Sequence, residues 1–296
     1  MGGAADRRGI ALAIFGALVL TPDALFMRLS GMDGFQMLAW RGICMGMIFV
    51  GVWAVTSSGR IRDLALMASP AALLIIPSQI ANAGLFPLGI AAAPVSVVLL
   101  GVATVPIWAA VLARVFYGET AGPATWITIA CVLAGLGFAV SEPGAAQESG
   151  ALFGAFCGLS VALALAVNFV ILRHNPEVPL LLAIGIGAFC AGAIGWAMSG
   201  TARLDDGALW AIALTALLIL PLSFFALSQA SRHTSAANVS LLLLLETVLG
   251  PAWVWIGIGE APGWRMLVGG AVVIGALAAY ILHSGRAQKQ RSEGLA

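Results

Sequence analysis

The chain has 296 residues, 61% of them hydrophobic and only 9% charged, with a formal net charge of +1 and a mean hydropathy of +1.02. Soluble domains carry about 25% charged residues, so this composition excludes an ordinary soluble domain. A bilayer core of roughly 30 Å is crossed by a helix of about 20 apolar residues, and runs of that length follow one another through the chain, which reads as an all-α polytopic membrane protein.

Ten transmembrane helices are predicted, at 9–28, 36–56, 68–89, 94–116, 122–141, 149–172, 178–198, 208–229, 235–257 and 264–283. They leave short loops and tails and no room for a soluble domain. The first follows Arg7 and Arg8 and could be a signal peptide, but its length and the spans behind it favour a retained helix. It carries Pro22, Asp23 and Arg28, and the second opens on Trp40 and Arg41. The third holds Pro77, Ser78, Gln79, Asn82 and Pro87. The fourth holds Pro106 and Trp108 and ends on Gly118-Glu119. The sixth contains Ser160 and Asn168, and the eighth Pro221 and Ser223. The ninth contains Asn238, Glu246, Pro251, Trp253 and Trp255 and ends on Gly259-Glu260.

Lysine and arginine set orientation. With the N-terminus in the cytoplasm, Arg7, Arg8, Arg60, Arg62, Arg114, Arg173, Arg232, Arg286, Lys289 and Arg291 fall inside. Arg28, Arg41, Arg203 and Arg265 fall outside. An even number of crossings then puts both termini in the cytoplasm.

The two halves align at an offset of 144–145 residues. Residues 75–96 run ungapped against 219–240, pairing Pro77 with Pro221 and AAPVS (92–96) with AANVS (236–240). Asp23 meets Asn168 and Arg28 meets Arg173. Two repeats are therefore expected, 1–146 and 147–285, followed by a cytoplasmic tail at 286–296. Five spans per repeat is an odd number, so the second repeat is inverted. Inverted repeats are typical of secondary transporters, with the substrate site between them near the midplane.

These residues resemble the drug/metabolite transporter superfamily, and within it the EamA-type ten-helix transporters. TPDALFMRLSG in the first span, PVSVVLLGVATVPIWAAVLARVFYGE in the fourth and AANVSLLLLLETVLGPAWVWIGIGE in the ninth carry the likeness. The chain looks most like the YddG-type amino-acid exporters of bacterial inner membranes. The resemblance implies a basket-like monomer with a central cavity, exporting small metabolites, amino acids first, across the cytoplasmic membrane. The sequence departs from the pattern in the ninth span: Pro251 lies nine residues before Glu260, whereas Pro106 lies thirteen before Glu119.

Polar groups inside spans face a cavity or a protein neighbour, because leaving them in lipid is costly. Ser78, Gln79 and Asn82 are three or four apart and share a helix face, behind Pro77, which frees a backbone carbonyl. A cavity lining is favoured over an interhelical cluster. Asn168, Ser223 and Asn238 would add neutral hydrogen-bonding groups from the second half, and Trp108 a flat wall, although each tryptophan is more often a packing residue. Such neutral groups suit a zwitterionic or neutral metabolite. Glu246 lies deepest, and three roles stand open for it: proton coupling, contact with a substrate amine, or a protonated structural group. Asp23 can reach Arg28 or Arg41, which favours an ion pair. Glu119 and Glu260 are expected to cap or pair at helix ends. Pro22, Pro77, Pro106, Pro221 and Pro251 are candidate bends. Cys44, Cys131, Cys157 and Cys190 read as small buried residues, and no metal or cofactor site is expected. No HExxH, GxSxG or facing pair of aspartates indicates an intramembrane enzyme. No ring of like charges indicates a channel. No nucleic-acid partner is expected.

Overall fold

The computed structural model describes residues 2–140, 150–259 and 264–293. All regular structure among them is helical, as the apolar composition requires: a helix satisfies its own N–H and C=O groups where no water can. The helices are α1 (Gly2–Leu20), α2 (Asp23–Ser30), α3 (Gly34–Thr56), α4 (Arg60–Leu66), α5 (Pro70–Ala92), α6 (Val95–Val102), α7 (Val105–Tyr117), α8 (Pro123–Val140), α9 (Ala151–His174), α10 (Leu180–Ser199), α11 (Leu209–Leu214), α12 (Leu220–His233), α13 (Ala236–Leu243), α14 (Leu245–Ile258) and α15 (Trp264–Glu293). Eight stretches are long and apolar enough to cross a membrane: Asp6–Ser30, Gly34–Thr56, Pro70–Ala92, Val95–Tyr117, Ala151–His174, Leu180–Ser199, Leu209–His233 and Ala236–Ile258. In α8 and α15 the apolar stretches, Pro123–Gly135 and Val268–Tyr280, are shorter.

Four of the eight stretches are interrupted. α1 stops before Thr21-Pro22, because proline has no N–H to continue the ladder, and the chain restarts as α2 at Asp23. α6 gives way to α7 at Ala103–Thr104, just ahead of Pro106. α11 passes into α12 through a five-residue π turn, Thr215–Ile219, ahead of Pro221. α13 gives way to α14 at Leu244 with no proline nearby, while Pro251 sits inside α14 without ending it. The bend expected at Pro251 is thus displaced to Leu244. Pro77 and Pro87 are likewise accommodated inside a continuous α5.

α6 and α13 each have 8 residues and begin at Val95 and Ala236, so AAPVS and AANVS sit about one turn apart relative to their helix starts. α7 (13 residues) and α14 (14 residues) are near equals, each ended by a glycine at positive φ, Gly118 and Gly259. α12 runs twelve residues past Pro221, whereas α5 runs fifteen past Pro77.

The most extensive helix pairing is α3 against α10. Glycine makes it possible. A Cβ on Gly42 would lie 2.4 Å from the Gly192 nitrogen, and one on Gly192 would lie 2.3 Å from the Ile43 nitrogen. Gly46 and Gly195 extend this seam, the small-residue packing that lets helices associate in lipid. Around it α5 packs on α9, α1 on α12, α6 on α9, α13 on α1 and α8 on α15. A smaller apolar cluster, Ala103, Ile129, Val132, Leu241, Leu244, Val273 and Leu277, covers two of the helix breaks with α8 and α15. Cys44 and Cys157 are buried as expected, but Cys131 is exposed and Cys190 partly so.

Substituting Gly42 by Leu should separate α3 from α10 and lower the melting temperature in detergent or abolish folding, since overpacking costs about 1–3 kcal/mol or more. Gly51→Ala, with nothing within 4 Å of the added carbon, should melt as the parent does. A Gly42→Leu protein with the parent's melting temperature would contradict the close-packed seam.

Candidate functional site

Two of the helix breaks set acidic residues deep inside the bundle. Asp23 is the first residue of α2 and Glu246 the second of α14, where the positive end of a helix favours a carboxylate. Both are buried, at 0% and 3% exposure. Arg41 stands beside Gly42 on the α3–α10 seam and is also buried. Its Nη1 donates to Asp23 Oδ1 at 2.7 Å, and its guanidinium lies 5.9 Å from the Phe86 ring centroid. Of the two ion-pair partners expected for Asp23, the structure selects Arg41. Arg28 instead donates to the Ala93 carbonyl at the end of α5.

Asp23, Arg41 and Glu246 line one cavity with Gln79, Asn82, Phe86 and Phe224. The cavity volume is about 40 Å³, well below the roughly 300–1,000 Å³ of formed ligand sites. It is narrow, with room for the centres of only a few waters. Both halves of the chain build it: the first supplies Asp23, Arg41 and both amides, and the second supplies Glu246 among apolar residues such as Leu165, Leu220, Leu227 and Leu243. Asp23 Oδ2 and Glu246 Oε1 are buried without a hydrogen-bond partner.

The expected polar stripe is split. Gln79 and Asn82 face the cavity. Ser78 turns toward α9, its Oγ 2.7 Å from Asn168 Oδ1 and 2.9 Å from the Ile75 carbonyl. Asn168 Nδ2 donates to Gln79 Oε1 at 3.1 Å. Ser78 and Asn168 therefore tie α5 to α9 and hold Gln79, and neither lines the cavity. Among the described residues no side chain hydrogen-bonds the Asn82 amide. Ser223 is fully buried where α12 meets Gly16 of α1, and its hydroxyl donates to the Leu220 carbonyl.

Asn238 belongs to a separate polar chain at the end of the bundle that carries the N-terminus. There Thr234 donates to Asp6, Asn238 Nδ2 to Thr234 Oγ1 at 2.8 Å, and Tyr280 to Asn238 Oδ1 at 2.5 Å, with Thr125 Oγ1 3.2 Å from the Tyr280 hydroxyl. Trp108 packs half-buried against the main core, outside the cavity. Glu119 pairs with Arg173 at 3.0 Å and His174 at 3.3 Å; Glu260 lies outside the described residues. The second half thus contributes apolar walls and one acid where neutral amides and hydroxyls were expected, because Asn168, Ser223 and Asn238 are bound into helix contacts. Phe86 and Phe224 escaped the sequence reading, since an aromatic in an apolar run carries no sign of which way it faces. So did the bond from Trp253 Nε1 to Thr21 Oγ1, 2.9 Å, which fastens α14 to the break before α2.

No family model and no curated protein matches this chain by sequence. Among solved structures, one described only as "Crystal structure of protein" is similar with a TM-score of 0.73. The similarity covers 94% of this chain and 98% of that one at 15% identity. A likeness at that identity shows the fold alone.

Arg41→Met should destabilise the protein by about 3–5 kcal/mol, since it strands a buried carboxylate, and cut its melting temperature sharply. Asn82→Ala should stay within about 0.5 kcal/mol of the parent, having no partner to lose. The reverse ranking in a detergent melting series would contradict the assignment of these roles.

Proposed function

We propose that the chain is a secondary transporter of small metabolites, amino acids first, working by alternating access in a bacterial cytoplasmic membrane. The observation that carries this reading is the cavity itself, a narrow space within an apolar bundle, lined from both halves and holding buried ionisable groups. Buried ionisable groups in membrane helices mark substrate or ion pathways, and half-helix N-termini at mid-depth are how transporter folds build such sites.

The packing partners support a two-fold repeat. Exchanging the halves turns α1–α12 into α9–α5 and α13–α1 into α6–α9, while α3–α10 and α8–α15 map onto themselves. In this reading α8 and α15 are the fifth and tenth crossings, the repeats are 1–146 and 147–285, and both termini are cytoplasmic. The resemblance to EamA-type drug/metabolite transporters, and to the YddG-type exporters among them, points to the same class. A monomer suffices, because one chain supplies the whole lining of the cavity.

Reconstituted in liposomes, the purified chain should give saturable uptake of at least one labelled amino acid, accelerated by the same amino acid trapped inside. Gln79→Ala and Asn82→Ala should each weaken apparent affinity roughly 5–150-fold, the range for a lost buried hydrogen bond of about 1–3 kcal/mol. A flux that rises linearly with concentration and ignores trapped substrate would indicate a channel instead. A fluorescent protein fused after Ala296 should glow in the cytoplasm; an active alkaline phosphatase fusion there would overturn the topology.

A further inference from the structure

The charges in the cavity do not balance. Asp23 and Arg41 pair one to one, which leaves Glu246 over. Asp23 on α2 and Arg41 on α3 are the charged groups that act on Glu246. From the other walls it meets the neutral amides of Gln79 and Asn82 on α5 and apolar side chains of α1, α9, α12 and α13. One oxygen of each acid, Asp23 Oδ2 and Glu246 Oε1, has no hydrogen-bond partner although it is buried. A carboxylate taken out of water without a partner costs several kcal/mol, so it is held either with a proton or beside a cation. Arg41 bonds Asp23 through Nη1, and among the described residues no ion pair joins it to Glu246. The rest of the wall is largely aliphatic, with Leu165, Leu220, Leu227 and Leu243 from the second half.

Resting on the transporter reading, we propose that the cavity binds the ammonium group of an aliphatic amine-bearing substrate between Asp23 and Glu246, in exchange for the proton that Glu246 carries in the empty site. The exchange balances. The O–H bond of Glu246 breaks, its proton leaves to water as hydronium, and the substrate's ammonium replaces that positive charge. The leucine-rich wall receives the aliphatic remainder. The amide N–H groups of Gln79 and Asn82 remain for a carboxylate or hydroxyl on the same substrate. One substrate ammonium group therefore leaves the site for each proton taken up.

The test uses the full purified chain in weakly buffered detergent with a pH-indicator dye. Two probes share one aliphatic frame: isoamylamine, which carries the ammonium, and 4-methylpentanoate, which carries a carboxylate. Isoamylamine should bind and release close to one proton per bound chain. Its apparent affinity should rise about ten-fold per pH unit while the exchange is one for one. Glu246→Gln, nearly isosteric, should bind isoamylamine without proton release and without that pH dependence. If the variant does not fold, proton release by the parent protein decides alone. Preferential binding of 4-methylpentanoate, or isoamylamine binding with no proton released and a flat pH profile, would overturn the proposal. Amine-coupled proton release with no flux of any amino acid in liposomes would sink the transporter reading and leave this site standing. Saturable amino-acid flux with no amine binding would do the reverse.

Discussion

The fold depends on how three ionisable side chains are kept inside an apolar bundle. Asp23 and Arg41 solve part of the problem by pairing at 2.7 Å, and Asp23 and Glu246 gain from standing in the first turns of α2 and α14. Neither device works without the helix breaks. An uninterrupted helix through Thr21 and Pro22 would place Asp23 mid-helix, where no N–H group is left over for it. The α3–α10 seam matters for the same reason: only with Gly42 against Gly192 do the backbones come close enough for Arg41 to be enclosed beside them. A buried ion pair adds little net stability, and breaking it is costly.

The ends of the bundle are closed by different, more exposed contacts. At the end away from the N-terminus, Arg203 pairs with Asp33 at 3.0 Å, Gln36 donates to the Arg203 carbonyl and Trp40 to the Leu204 carbonyl. At the N-terminal end the chain of bonds from Asp6 through Thr234, Asn238 and Tyr280 to Thr125 joins α1, α13, α15 and α8. Partly exposed pairs and hydrogen bonds of this kind contribute about 1 kcal/mol or less each. The α3–α10 seam, by contrast, is closed by direct backbone contact at its glycines.

Much of this was legible in the sequence, and the failures have physical causes. Runs of about twenty apolar residues located the eight stretches long enough to cross a membrane, since length and hydropathy decide whether a segment can cross a bilayer; the expected spans at 122–141 and 264–283 contain shorter apolar stretches. The pairing of Asp23 was readable because charges are so scarce that each has few possible partners, whereas its burial was not: Asp23, expected toward the outer end of its span, is as deeply buried as Glu246 and shares its cavity. Helix periodicity correctly grouped Ser78, Gln79 and Asn82, but it could not say that Asn168 on α9 would draw Ser78 away from the cavity, because that depends on a neighbour distant in the chain. The break at Leu244 left no mark in a run of leucines, and Pro251 drew attention to the wrong place. The short helix α4 has seven residues, too few for a pattern.

The central claim is that the cavity holding Asp23, Arg41 and Glu246 communicates in turn with each side of the membrane. The direct measurement places a single cysteine at Asn82, which lines the cavity without a side-chain partner, after Cys44, Cys131, Cys157 and Cys190 are replaced by alanine. The rate of modification by a membrane-impermeant thiol reagent is then compared in right-side-out and inside-out vesicles. The account predicts reaction from both sides, slowed from both by a transported substrate. A cysteine that reacts from one side only, whatever substrate is present, or from neither, would contradict it.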